Sequence, residues 1–381
     1  MKHPSLHLIR TSVVLALAAL FAPGSFGQGD LLPPPGPPEP TMKTLAQIGP
    51  RMIVNATNTP GNADHTFIIS APGSYYLDGN LTGAPGKNGI SIRASDVTLD
   101  LNGFALISGG GEARSGIGVA GARRNCIIRN GCVRGWTAIA VNAFFTGARV
   151  EKLRISGNPG AIGLYVGLSS IVEDCVADNN LGGFYSLDQV QFTRCIATVN
   201  TEHGFYCGND ATIMDCTSSR NGGMGIWIEA AGSILRCNVS RNVLQGIATG
   251  GGSTVADCTS GHNLGRGIYV IEGSTVRKCT TRGNIGEGVY ARERCVVLEN
   301  LCNGNGEGIV TFGTGNRIEG NDCSANGVGF RIGHNSLFFA NSAHANSRNF
   351  DILPSTAAGP IVDMTASGTI TDPSPTANFI Y

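Results

Sequence analysis

Six cysteines, Cys175, Cys195, Cys216, Cys237, Cys258 and Cys279, recur every 20 or 21 residues, and five positions after each stands an asparagine: Asn180, Asn200, Asn221, Asn242, Asn263 and Asn284. The beat outlasts the cysteines, because Asn300, Asn321 and Asn341 take over their column while Asn305, Asn326 and Asn346 continue the second. A fixed period near 21 residues marks one structural unit stacked on itself, each copy burying its apolar face against the next. Val, Ile, Thr and Gly dominate between the landmarks and no long helical apolar period appears, so the unit is a coil of short strands.

Two strands are recognisable in each repeat. One opens with a glycine and an alternating triplet, as in Gly163-Leu-Tyr-Val, Gly204-Phe-Tyr-Cys and Gly225-Ile-Trp-Ile. Period-two alternation points the outer members inward and the middle one outward, since Arg331 and Asp351 fall in the middle column and cannot be stacked in an apolar core. That outward column holds Tyr165, Tyr185, Tyr206, Trp227, Tyr269 and Tyr290, interrupted at Ala248. The other strand closes on the cysteine, preceded by Asp174, Arg194, Asp215, Arg236, Asp257, Lys278 and Glu299, whose signs alternate from coil to coil. Neighbouring coils about 4.8 Å apart then set each charge beside opposites.

Flanking segments set the expected boundaries. Residues 1–27 read as a secretory signal, with Lys2 and Arg10 before an apolar run from Val13 to Ala22, so the protein is expected to be exported. Residues 28–41 are a Pro-rich linker, 42–88 an N-terminal cap, 89–353 the solenoid of roughly twelve coils and 354–381 a C-terminal cap. Lys and Arg number 27 against 27 Asp and Glu, which leaves no basic field for nucleic acid, and no later apolar run is long enough for membrane insertion. Oligomeric state stays open.

The asparagine column and the glycine-led strands resemble the all-β, single-stranded right-handed parallel β-helix of the pectate-lyase-like superfamily. The segments SAPGSYYL (70–77), DVTLDLNGF (96–104), NCIIRNGCVRGW (125–136) and ANFIY (377–381) resemble secreted bacterial β-helix repeat proteins of unassigned activity. The resemblance implies the fold more than a function, because the superfamily contains lyases, hydrolases, epimerases, phage tailspikes and proteins without known catalysis. The Asp-Asp and Gly-His-Gly pattern of polygalacturonases and the Tyr-Gly-Phe-Asp-Pro-His block of alginate epimerases are absent. Trp227-Ile-Glu-Ala lacks the histidine of the Trp-Ile-Asp-His of pectate lyases. No catalytic residue is carried over.

Chemistry is therefore weighed residue by residue. The cysteine column reads as small side chains packed inside, with disulfides or a metal as alternatives, because in-register neighbours keep their Cβ atoms too far apart for an ordinary disulfide. The asparagines read as turn formers bonded amide to amide. The aromatic column is the strongest functional signal, a stripe on which sugar rings can stack; its structural alternative is a sheet-stabilising ladder. Beside it stand Glu229, Arg266, Glu287 and His203, candidates for acid–base work if the protein is a carbohydrate-active lyase, hydrolase or epimerase. The adjacent carboxylates Glu287 with Glu307 and Glu272 with Glu293 can do acid–base work or bind Ca²⁺; no other cofactor and no dedicated metal site are expected. Polysaccharide binding, catalysis and a passive scaffold are the three readings.

Overall fold

The computed structural model describes residues 51–111, 114–365 and 374–381. The signal, the linker and the first part of the N-terminal cap lie outside them. The described chain is all-β, a parallel solenoid of about 15 turns with about 21 residues per turn, which at one strand spacing per turn makes a rod roughly 70 Å long. Among the described residues no helix is long and apolar enough to cross a membrane.

A regular turn contains three strands rather than two, though around Arg149–Val166 and Val176–Ser186 they run together. In one coil these are Gln191–Thr193, Ile196–Thr198 and Phe205–Cys207. The second strand escapes a sequence reading because only two residues separate it from the first. That bend is made by Arg194, whose φ of 53° lies in the left-handed region, and the following Cys195 turns inward. The same conformation recurs at Asp174, Asp215, Arg236, Asp257, Lys278 and Glu299, so the column of alternating charge is a column of corner residues. Its ion pairs close in twos, Arg194 on Asp174 and Arg236 on Asp215, each at 2.7 Å.

The ladder asparagines are not themselves the left-handed residues. The residue before each takes that role, as Asn179, Val199, Arg220, Arg241 and His262 do. This frees the asparagine to point inward, where Asn200, Asn221 and Asn242 are almost fully buried. Asn221 Nδ2 donates to Asn242 Oδ1 at 3.0 Å and its backbone N–H donates to the same oxygen at 3.0 Å, a pattern repeated from rung to rung. In the other column, where Asn300, Asn321 and Asn341 succeed the cysteines, Asn378 fills the rung beyond Asn341 and accepts from its N–H at 3.0 Å.

Inside, aliphatic and aromatic side chains stack on their own kind. Phe184 and Phe205 lie 5.0 Å apart, and Phe192 meets Phe205 edge-on at 5.5 Å. All twelve cysteines are free. Column thiols hydrogen-bond to carbonyls, as Cys195 Sγ does to Thr193 O at 3.4 Å, and Cys195 N–H donates to Cys216 Sγ at 3.3 Å. Burial pushes the Cys207 thiol up to about 12. Buried and hydrogen-bonded to carbonyls, the column thiols pack as small side chains. The leading glycine is needed where one coil meets the next: a Cβ at Gly225 would sit 2.4 Å from Val239 Cγ1 and 2.5 Å from Gly246 O.

The solenoid begins earlier than residue 89. His65–Ile69 pairs with Asn88–Ile92, and Arg51–Ile53 pairs with Gly73–Tyr76 in the manner of any later coil. These first turns carry neither landmark column, and a step such as Ile92 to Val119 takes 27 residues, which hides them from a search at the shorter period.

Candidate functional site

Strand register puts the aromatic residues in one file. Tyr165 pairs with Tyr185, Tyr185 with Tyr206, Tyr206 with Trp227, Trp227 with Ala248, Ala248 with Tyr269 and Tyr269 with Tyr290. Their triplet partners are buried while the rings themselves are partly exposed. The file is not uniform. Tyr185 and Tyr206 have ring centroids 5.4 Å apart and Tyr269 and Tyr290 5.6 Å. At the interruption, outward-pointing Ala248 is only 1% exposed, so the larger residues on either side close over it. Trp227 Nε1 and Gln245 Oε1, in the two coils meeting there, are buried without hydrogen-bond partners.

An open depression of about 420 Å³ lies along Tyr185 and Tyr206, bounded by Thr201, Glu202, His203, Gly222 and Gly223. It arises because the chain crosses from the ladder asparagine to the next glycine-led strand in a short loop, Thr201 to His203, beside the outward rings. Tyr185 Oη donates to Glu202 Oε2 at 2.9 Å, and burial together with that carboxylate holds the phenol well above the usual tyrosine range. His203 stacks on Tyr206 with ring centroids 5.4 Å apart, and its Nδ1 accepts the Met224 N–H at 3.0 Å. Burial lowers the His203 pKa, with Glu202 pulling the other way. A neutral imidazole whose Nδ1 is already an acceptor carries its proton on Nε2. The depression thus has a ring floor, one N–H donor and one carboxylate acceptor.

The four acid–base candidates are not brought together. His203 precedes the strand of Tyr206, and Glu229 follows that of Trp227 at an exposed position. Arg266 and Glu287 lie coils further on and hold each other, Nε to Oε2 at 2.7 Å. The Arg266 guanidinium also lies 4.2 Å from the Tyr290 ring centroid and 5.2 Å from that of Tyr269, a cation–π clasp over both. Glu307, paired in register with Glu287, meets Arg331 at 2.9 Å. Burial raises the Glu307 carboxyl, against the pull of Arg331. Glu272 is bridged to Arg294. No group of three or more His, Cys, Asp or Glu side chains gathers among the described residues as a metal ion would require.

Sequence reasoning missed Phe144, which meets the Tyr165 ring at a centroid distance of 4.9 Å and lengthens the file by one ring from a turn. It also missed the hollow beyond it, bounded by Arg123 and Arg124. The signal was present: read upstream, the outward column continues as Asn142, Gly118 and Ser91.

With the stacked turns, the buried asparagine row and the outward file in place, comparison with known proteins assigns the class. The family described as "Right handed beta helix region" matches residues 80–244 and 206–300, and the chain belongs to it. No curated protein matches the chain. Among solved structures, the chain is similar to the A-module of Azotobacter vinelandii mannuronan C-5 epimerase AlgE6, at 15% identity over 76% of this chain and 91% of that one, with a TM-score of 0.48. It is similar to the periplasmic alginate epimerase AlgG at 12% identity over 77% and 83%, TM-score 0.49. Pectate lyase Pel9A gives 15% over 63% and 71%, TM-score 0.36.

Proposed function

We propose that this chain is an exported β-helix protein that binds polysaccharide along the file from Tyr165 to Tyr290, with the depression at Tyr185 and Tyr206 as its central subsite. The observation that carries the reading is the coincidence there of exposed rings with a fixed donor and acceptor. Aromatic faces receive the C–H side of a sugar ring, and a few placed polar groups orient it. Coils repeat about every 4.8 Å, close to the length that one hexose adds to an extended chain, so neighbouring rings such as Tyr185 and Tyr206 are spaced to meet neighbouring sugars.

Of the groups suited to proton transfer, all but the exposed Glu229 are engaged in ways that favour holding a ligand over cleaving it. Protonating His203 at Nδ1 would cost its bond to Met224, the Tyr185 phenol is bonded to Glu202, and Arg266 and Glu287 neutralise each other. The test is depletion of the protein by a panel of insoluble glycans, with Tyr206→Ala and Trp227→Ala. At least one glycan is expected to retain the wild type about tenfold better than either variant, the usual weight of an aromatic anchor. Equal retention of all three removes the aromatic platform. Release of reducing or unsaturated ends, lost in Glu229→Gln or Glu287→Gln, replaces binding by catalysis.

A further inference from the structure

Upstream of Tyr165 the outward column changes character. It runs Ser91, Gly118 and Asn142 in strand register before the first tyrosine, and with two small residues in succession the face sinks. Two depressions, of about 190 and about 720 Å³, adjoin at Val119 and Asn142, which line both, and together make up the hollow. Gly118 lines the smaller of the two. A Cβ built there meets no atom within 4 Å, and Gly118 is not among the glycines of positive φ. Neither backbone nor packing asks for glycine at 118, and what its missing side chain provides is room.

The wall of the hollow is cationic and aromatic. Arg123 and Arg124 border it together with Phe144, 46% exposed and in ring contact with Tyr165. Arg123 Nε donates to Ala120 O at 2.9 Å, which fixes the guanidinium and leaves its terminal nitrogens for another acceptor. Asp96, whose charge is felt with that of Arg123 at Cys126, is occupied by Asn125 Nδ2 at 2.9 Å. Further along the same face Arg266, Arg294 and Arg331 each meet a glutamate. At the hollow no carboxylate takes that part among the described residues.

We infer that this hollow binds an acidic group, a carboxylate or a sulfate, borne by a sugar of the chain whose other residues lie on the aromatic file; the inference rests on the sugar-binding reading above. A guanidinium fork matches either oxyanion with paired N–H bonds, and Phe144 supplies a face for the ring that carries it. The bound chain is thereby oriented, its acidic residue toward the N-terminal coils.

The test compares retention of the full chain on polygalacturonate, dextran sulfate and neutral dextran at low and physiological salt. Its variants are Gly118→Leu, the double variant Arg123→Gln/Arg124→Gln, and Tyr206→Ala. Gly118→Leu is expected to keep the wild-type melting temperature, since the new side chain enters open space. Both hollow variants are expected to weaken retention on one acidic polymer about tenfold or more, the scale of a lost charge-assisted pair, and to leave dextran unaffected. Loss confined to polygalacturonate assigns a carboxylate, and loss confined to dextran sulfate a sulfate. Unchanged acidic retention in both hollow variants, with Tyr206→Ala still weakened, overturns the hollow and leaves the file standing. Equal loss on neutral and acidic polymers overturns the charge assignment, and no loss in Tyr206→Ala overturns the file itself.

Discussion

The asparagine column inside the solenoid and the aromatic column outside it run through the same coils, yet they obey opposite rules. Asn158 to Asn346 repeat one residue type because each amide is both partner and neighbour to the next, and any other side chain would strand buried donors. The outward column passes from Ser91 and Gly118 through tyrosines and Trp227 to Val310, Arg331 and Asp351 with no loss of register. What the interior enforces, the exterior leaves free, so chemical specificity can be written only on the outside.

Breaking the inner rule has the largest expected effect. Asn221→Leu removes the acceptor of two Asn200 donors and the donor to Asn242. A loss of about 3–5 kcal/mol is expected in urea unfolding, the scale of several buried groups left unpaired. Gly225→Ala comes next, because its Cβ would press on Val239 and on the neighbouring backbone; a loss of about 2–3 kcal/mol is expected from overpacking. A wild-type midpoint for either variant would erase the contrast between the columns. Tyr206→Ala, in the outer file, is expected to lower stability by about 1 kcal/mol or less, so that its larger effect falls on glycan retention.

Two smaller effects sharpen the comparison at the corners. Val199 holds a left-handed φ of 56° and is 51% exposed, a conformation that disfavours a β-branched side chain. Val199→Asn is expected to raise the unfolding free energy by about 1 kcal/mol. His203, with a folded pKa below its ordinary 6.5, favours the native state most when neutral. Its contribution is full above the unfolded pKa and is lost as pH falls from there toward the lower folded value, where the unfolded chain binds the extra proton. His203→Gln is expected to flatten that part of the stability profile by a few tenths of a kcal/mol, a modest figure because the ring is only partly buried.

How much of this was legible follows from what each feature depends on. The cysteine and asparagine columns announce the period because packing repeats them, and the charges of Arg331 and Asp351 settled which way the alternation faces, placing the tyrosines outward with them. The third strand stayed hidden because a bend of two residues leaves no composition of its own. The left-handed residue was misplaced by one position, since asparagine is a common occupant of that conformation while here Val199, Arg220 and Arg241 adopt it under the constraint of stacking. At the site, the rings were legible and their partners were not. The Tyr185–Glu202 bond and the acceptor role of His203 Nδ1 depend on how a short loop folds back on its neighbour coil. The turns before residue 89 escaped because they carry neither landmark column and their length varies.

Asn378 has a consequence at the tip of the rod. The strand Asn378–Ile380 lies between Ser342–His344 and Ile361–Asp363. On that face the outermost described row is therefore the three-residue segment Ile361–Asp363, with Pro360 before it and Asp363 within it. A short row bearing a charge beside a proline is a poor template for a foreign strand. On this face the regular spacing of stacked strands thus ends in an edge ill suited to further pairing.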